Sequence, residues 1–136
     1  MSDYNRQIIE EFRANGGRVG GSWEGRDLLL LTTTGRKTGR EHTTPIVFTR
    51  SGDRLLVYAS KGGAPAHPDW YLNLRADPHV VVEVGSERYE AVATPLESEE
   101  RDREFAAQVA RNPVFGDYAQ RTDRVIPVVA LTREGT

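Results

Sequence analysis

Arg36, Lys37 and Arg40 fall within five consecutive residues, flanked by Gly35 and Gly39, in the stretch TTTGRKTGREHTTP at 32–45. Cations, hydroxyls and glycine N–H groups gathered in one place suit a cluster of phosphates or carboxylates. The stretch is not a Walker A loop, because Lys37 lies between the two glycines and the Gly-Lys-Thr step is absent. A solvated, charged hairpin tip accounts for the same residues, and from the stretch alone that plainer reading is slightly ahead. A second stretch, YASKGGAPAHPDWYLNL at 58–74, brings small residues, Ala59 and Ser60, to the end of a strand, followed by Lys61, Gly62 and Gly63. A flat cofactor needs backbone at its ring edge, and glycines remove the side chains that would block it. Backbone N–H groups there could bond a flavin-type pyrimidine edge; an ordinary strand-to-helix loop is the alternative. Trp70 and Tyr71 adjoin this loop, and such aromatic pairs are more often core than cofactor wall. Asn73 is a candidate cap or cross-loop hydrogen-bond partner.

Other chemistries find less support. The chain has no cysteine, which excludes disulfides, thiolate metal sites and a cysteine nucleophile. His42, His67 and His79 show neither HxH nor HExxH spacing, so a metal site is not expected. Ser60-Lys61 is not SxxK, and no GxSxG elbow occurs. A net charge of −2 provides no global basic field for nucleic acid. The charges are uneven: residues 83–104 carry eight acids against three arginines, whereas 32–45 carries three cations and one acid, Glu41. A local cationic site on a mildly acidic protein points to a small anionic ligand rather than a polymer.

The elements that must position these residues are legible in outline. At 136 residues the chain reads as one domain, able to bury roughly two-thirds of its unfolded surface. Residues 3–14 predict a helix capped by Ser2 or Asp3, with Ile8, Ile9 and Phe12 as its apolar stripe and a stop at 15–17. A Gly-rich lead-in then lets Trp23 pack. Strands are predicted at 28–33, buried on both faces, at 42–50, with Pro45 marking an edge, a bulge or a close ligand approach, and at 54–60. A short helix is predicted at 68–78, bracketed by Pro68 and Pro78. A β pair turning at Gly85-Ser86 follows. A charged helix over 97–111 sets Phe105, Ala106 and Val109 on one face. Residues 112–124 read as irregular or short helical, and 125–132 as a last strand with Pro127 at an edge or bulge. Strands that follow one another as hairpins predict a mainly β, α+β protein: about six antiparallel strands in a barrel or sandwich with peripheral helices. The N-terminus has no signal-peptide pattern and the apolar runs are too short to span a bilayer. A cytoplasmic protein is expected, with weak association of the first helix at the inner membrane face as the minority reading.

Taken together, ANGGRVGG, LLLTTTGRKTGREHTTPI, LLVYASKGGAPAHPDWYLNLRADPHVVVEV and YAQRTDRVIPVV resemble, in order and spacing, the deazaflavin-dependent nitroreductase family. These are actinobacterial split-barrel proteins that use coenzyme F420. The resemblance covers nearly the whole chain and implies a split β-barrel of the flavin-reductase, FMN-binding type. It makes 1–136 a single deazaflavin-binding domain, with a helix at 1–16 and the barrel at 26–133. It implies that Arg36, Lys37 and Arg40 lie near the coenzyme's phosphate and oligoglutamate tail, and that Pro45, Ala59, Ser60, Lys61 and Gly62 approach its ring. Asp69, Trp70 and Asn73 follow beside the cofactor, and Tyr118 closes the substrate side. Phe115, Arg121 and Val47 depart from residues that some members carry, so the resemblance implies the cofactor more than the acceptor.

The expected function is hydride transfer from reduced coenzyme F420 to a quinone, nitroaromatic or activated enone, by a monomer or homodimer. Ser60 and Tyr118 are the candidate catalytic hydrogen-bond donors. An FMN- or haem-binding split-barrel protein and a non-catalytic F420 carrier are the alternatives. FMN, with one phosphate, would not need all three cations.

Overall fold

The computed structural model describes residues 3–134. Six strands form a closed antiparallel barrel: β1 (Leu28–Thr34), β2 (Glu41–Ser51), β3 (Arg54–Tyr58), β4 (His79–Val84), β5 (Glu87–Pro95) and β6 (Val128–Arg133). Their order is β1-β2-β3-β6-β5-β4, with β4 returning to β1. Helices α1 (Asp3–Ala14), α2 (Asp69–Ala76), α3 (Ser98–Arg111) and α4 (Val114–Gln120) surround it. This is the mainly β architecture with peripheral helices that the hairpin order predicts.

The run LLLL makes β1 a strand buried on both faces, because alternate side chains meet different layers. Leu29 and Leu31 join the barrel interior, whereas Leu28 and Leu30 pack under α1 with Ile8, Ile9 and Phe12. A paired charge also docks α1. Arg13 donates to both carboxylate oxygens of the buried Glu83 on β4, at 2.9 and 2.8 Å. That hydrogen bond, opposed by burial, holds the Glu83 carboxyl below its ordinary range. The expected cap Ser2 lies outside the described residues.

β2 determines the shape of the site. Its first seven residues, 41–47, pair with β1, and only Phe48–Ser51 pair with β3. The barrel is therefore split beside the first half of β2. Pro45 lies opposite Leu30 in this one-sided half. The Phe48 N–H donates to Asp27 O, toward β1. Alternation along the strand then turns the Pro45 nitrogen away from β1, so no ladder bond is lost.

Two strand ends differ from expectation. β3 stops at Tyr58, and Ala59 donates to Pro127 O at 2.9 Å just beyond the strand pair. Pro127 thus precedes β6, where only its carbonyl is needed. Residues 114–120 form a regular helix whose Phe115 meets Tyr58 edge-on. On α3, Ala106 is exposed, and the buried positions are Phe105 and Gln108.

Candidate active site groove

A groove follows the split. One end, about 380 Å³, is walled by the β1–β2 hairpin and α2, including Arg36, Lys37, Thr38, His42, Asp69 and Asn73. The other, about 700 Å³, is walled by Pro45, Tyr58, Ser60, Lys61, Phe115 and Tyr118. Asn5, Thr44 and Trp70 line both, so the two run into each other. The Trp70-Tyr71 pair divides its labour: Tyr71 is buried in the barrel core and Trp70 stands half-buried between the two ends.

At the hairpin end the loop is closed by backbone hydrogen bonds, Gly35 N–H to Arg40 O at 2.7 Å and Gly39 N–H to Gly35 O at 2.8 Å. A Cβ on Gly35 would stand 2.9 Å from the movable tip of the exposed His42, at Nε2, and 3.1 Å from Arg40 O, so the closed loop leaves little room there. Arg36 is fastened to α2. Its backbone N–H and its Nη1 both donate to Asn73 Oδ1, at 3.2 and 2.7 Å, and Nη2 reaches Asp69 Oδ1 at 3.4 Å. Asn73, only 4% exposed, in turn donates to Thr33 Oγ1 at 3.4 Å. It is the cross-loop partner, not a cap.

At the other end the chain turns in a short 3-10 segment, Lys61–Gly63. Lys61 is held at φ +48°, a left-handed conformation uncommon for a side-chain-bearing residue. Gly63, at φ +81°, has no room for a side chain: a Cβ would lie 2.8 Å from Tyr118 O. Its absence of a side chain serves the packing of the turn on α4. Beneath the turn, Arg124 donates from Nη2 to Ser60 O at 2.7 Å, from Nη1 to Ala59 O at 3.0 Å, and from Nε to Ala64 O at 2.9 Å. Its Nη1 also lies 3.0 Å from His67 Nδ1. A guanidinium only donates, so Nδ1 accepts and the neutral ring carries its proton on Nε2. Burial, then the charges of Arg124 and Arg75, press the His67 pKa below its ordinary value.

The structure gathers Arg36, Lys37, Pro45, Ser60, Lys61, Asp69, Trp70, Asn73 and Tyr118 on the walls of this groove. Two of the expected residues stand off it. Arg40 is exposed and lines neither end, and Ala59 is fully buried in the barrel core with both backbone polar groups engaged. Gly62 lies within the 3-10 turn. Sequence reasoning assigned no role to Arg124, whose partners are mostly main-chain oxygens without a sequence signature. None of the helices among the described residues is long and apolar enough to cross a membrane.

A family model described as F420H(2)-dependent quinone reductase matches residues 4–133. The chain is 40% identical over 126 residues to an F420H(2)-dependent quinone reductase of Mycobacterium tuberculosis, spanning 90% of this chain and 85% of that protein. It is similar to the solved structure of an F420-H2 dependent reductase, FDR-A, with TM-score 0.70 and 37% identity over 78% of this chain and 94% of the other. A structure described as a domain-swapped dimer superposes with TM-score 0.72 and 35% identity, spanning 95% of this chain and 97% of that one.

Proposed function

The chain belongs to the F420H(2)-dependent quinone reductase family, and from that premise we propose that the groove binds reduced coenzyme F420 beside an acceptor and carries hydride transfer to a quinone. Nitroaromatics and activated enones are further acceptors of the same electronic type. The observation that carries this reading is the continuity of two unlike ends: cations and hydroxyls at one, apolar and aromatic walls at the other. A polyanionic tail suits the first and a flat ring the second. The donor set fits the coenzyme, and Gly35, where a Cβ would lie 3.1 Å from Arg40 O, keeps the hairpin turn tight at the tail end.

The coenzyme, when bound, supplies a two-electron hydride donor; the protein supplies binding and orientation. Arg36 and Lys37 meet the tail's anionic groups, with Arg40 adding to the local field from outside the wall. Asn73 and Asp69 act on Arg36, holding its guanidinium at the rim. Trp70 and Pro45 shape the middle. The hydroxyls of Ser60 and Tyr118 hydrogen-bond the acceptor oxygen on which negative charge develops. Ser60→Ala and Tyr118→Phe are expected to lower kcat for menadione reduction, each by roughly tenfold; unchanged turnover in both would remove them from the mechanism.

The whole chain acts as one deazaflavin-binding domain of a cytoplasmic enzyme, working as a monomer or homodimer. Parallel fluorescence titrations with F420 and FMN, followed by steady-state oxidation of reduced F420 by menadione, test the reading. Tight F420 binding with turnover supports it. Binding of FMN and not of F420 would overturn it, and F420 binding without turnover would identify a carrier.

A further inference from the structure

We propose that Arg124 is the positioning residue of the groove: its guanidinium sets the main chain of the Ser60–Lys61 turn so that two N–H groups face bound ligand. The proposal rests on the reading of the groove as the F420 and acceptor site. Arg124 itself lines neither end of the groove, so it acts through the turn. It grips the turn from both sides in sequence, through the carbonyls of Ala59 and Ser60 before it and Ala64 after it. The His67 imidazole takes a fourth contact. A planar fork can serve several fixed acceptors at once, whereas an ammonium presents a single point charge.

The orientation follows from peptide geometry. In a trans peptide the N–H points opposite to the C=O. With the carbonyls of Ala59 and Ser60 turned toward the guanidinium, the N–H groups of Ser60 and Lys61 turn away from it. Ser60 and Lys61 both line the groove. The same grip accounts for Lys61 at φ +48°, a conformation that persists when its surroundings over-determine it. Gly63 packs against the main chain of Tyr118, which ties the turn to α4.

The test compares Arg124→Lys and Arg124→Ala with the unaltered chain, by F420 titration, thermal melting and menadione kinetics with reduced F420. Displacing the turn is expected to lower kcat of Arg124→Lys by roughly 10- to 100-fold, while KM for reduced F420, set chiefly at the hairpin end, changes by less than about threefold. Added guanidinium is expected to restore part of kcat in Arg124→Ala. A folded Arg124→Lys protein with kcat within about twofold of the unaltered chain would overturn the proposal. So would guanidinium that raises the melting temperature of Arg124→Ala without raising kcat. Should Arg124→Ala not fold, the lysine variant decides alone. An unaltered chain that binds no F420 overturns the functional reading and this proposal together, whereas the other adverse outcomes overturn this proposal only.

Discussion

The two ends of the groove each depend on an arginine, and they use it in opposite ways. Arg36 stands at the rim, its side chain 28% exposed, and is held by side chains, Asn73 and an Asp69 that is 86% exposed. Arg124 works from beneath the loop, and its acceptors are main-chain carbonyls and one imidazole. The first arrangement leaves a cation available to an incoming anion, because a solvent-exposed ion pair is weak and exchanges readily. The second leaves nothing to exchange: removing the guanidinium would take a donor from three carbonyl oxygens at once, of which Ser60 O keeps the Gly63 N–H. One end is an electrostatic surface, and the other is a shaped piece of backbone.

Glycine substitutions should break this contrast most visibly. Gly63→Ala adds left-handed strain and a collision with Tyr118 O, together about 3 kcal/mol, and is expected to lower Tm by about 10 °C. Gly39→Ala at φ +74° meets nothing within 4 Å, so only the strain remains, about 1 kcal/mol. Equal losses in thermal melts would mean that the turn end is no better packed than the hairpin.

Next in size are the tail contacts. Arg36→Ala is expected to weaken F420 binding by about 2 kcal/mol, roughly 30-fold, since it removes a charged donor from the rim and leaves Asn73 Oδ1 only the longer bond from the main-chain N–H. Lys37→Ala, at an exposed point charge, should cost roughly fivefold, and both losses should shrink as salt rises. Titrations at low and high salt measure this; a salt-independent loss would contradict an electrostatic grip. Asp69→Asn is expected to act in the opposite direction and tighten binding a few-fold at low salt, by removing an anion beside Arg36. Weaker binding in that variant would make Asp69 a direct ligand contact.

The smallest expected effect is on pH. The folded pKa of His67 lies below its unfolded value near 6.5, so the unfolded chain binds more protons between the two. The stability linked to neutral His67 is present above about pH 6.5 and is lost as pH falls through the folded pKa. Denaturant melts from pH 8 to 5 should show this decline, and His67→Gln, which keeps an acceptor for Arg124, should flatten it. A decline of the same size in the variant would assign it to other groups, and Glu83, also depressed, titrates lower.

Much of the architecture was legible because it rests on local pattern. The apolar run of β1, the turn at 51–53 and the prolines around α2 each report their own neighbourhood, and their order narrows the fold to an antiparallel barrel or sandwich. The site divides along the line drawn by the two arginines. Arg36 and Lys37 declare themselves by clustering with glycines and threonines. Arg124 lies 60 and 64 residues from the Ala64 and Ser60 carbonyls that it holds, and a carbonyl is present at every residue, so nothing in the sequence marks the match. Gly63 illustrates the same limit: its glycine character was visible, but its cause, Tyr118 on another element, was not. Ala59 meets the same limit, since Leu55, Val57 and Ala59 take the inward phase of the strand that leaves the barrel, and the structure fixes that phase.

Pro45 has a consequence for hydration. The half of β2 that lacks a second neighbour would ordinarily present amide hydrogens to water along the groove, and each would have to be dried when a flat ring settled there. At Pro45 the nitrogen on that side bears no hydrogen, so the wall has one fewer donor to dehydrate. Ring insertion should then resemble the transfer of apolar surface out of water, with a negative heat-capacity change, while the tail end stays wet and exchanges ions.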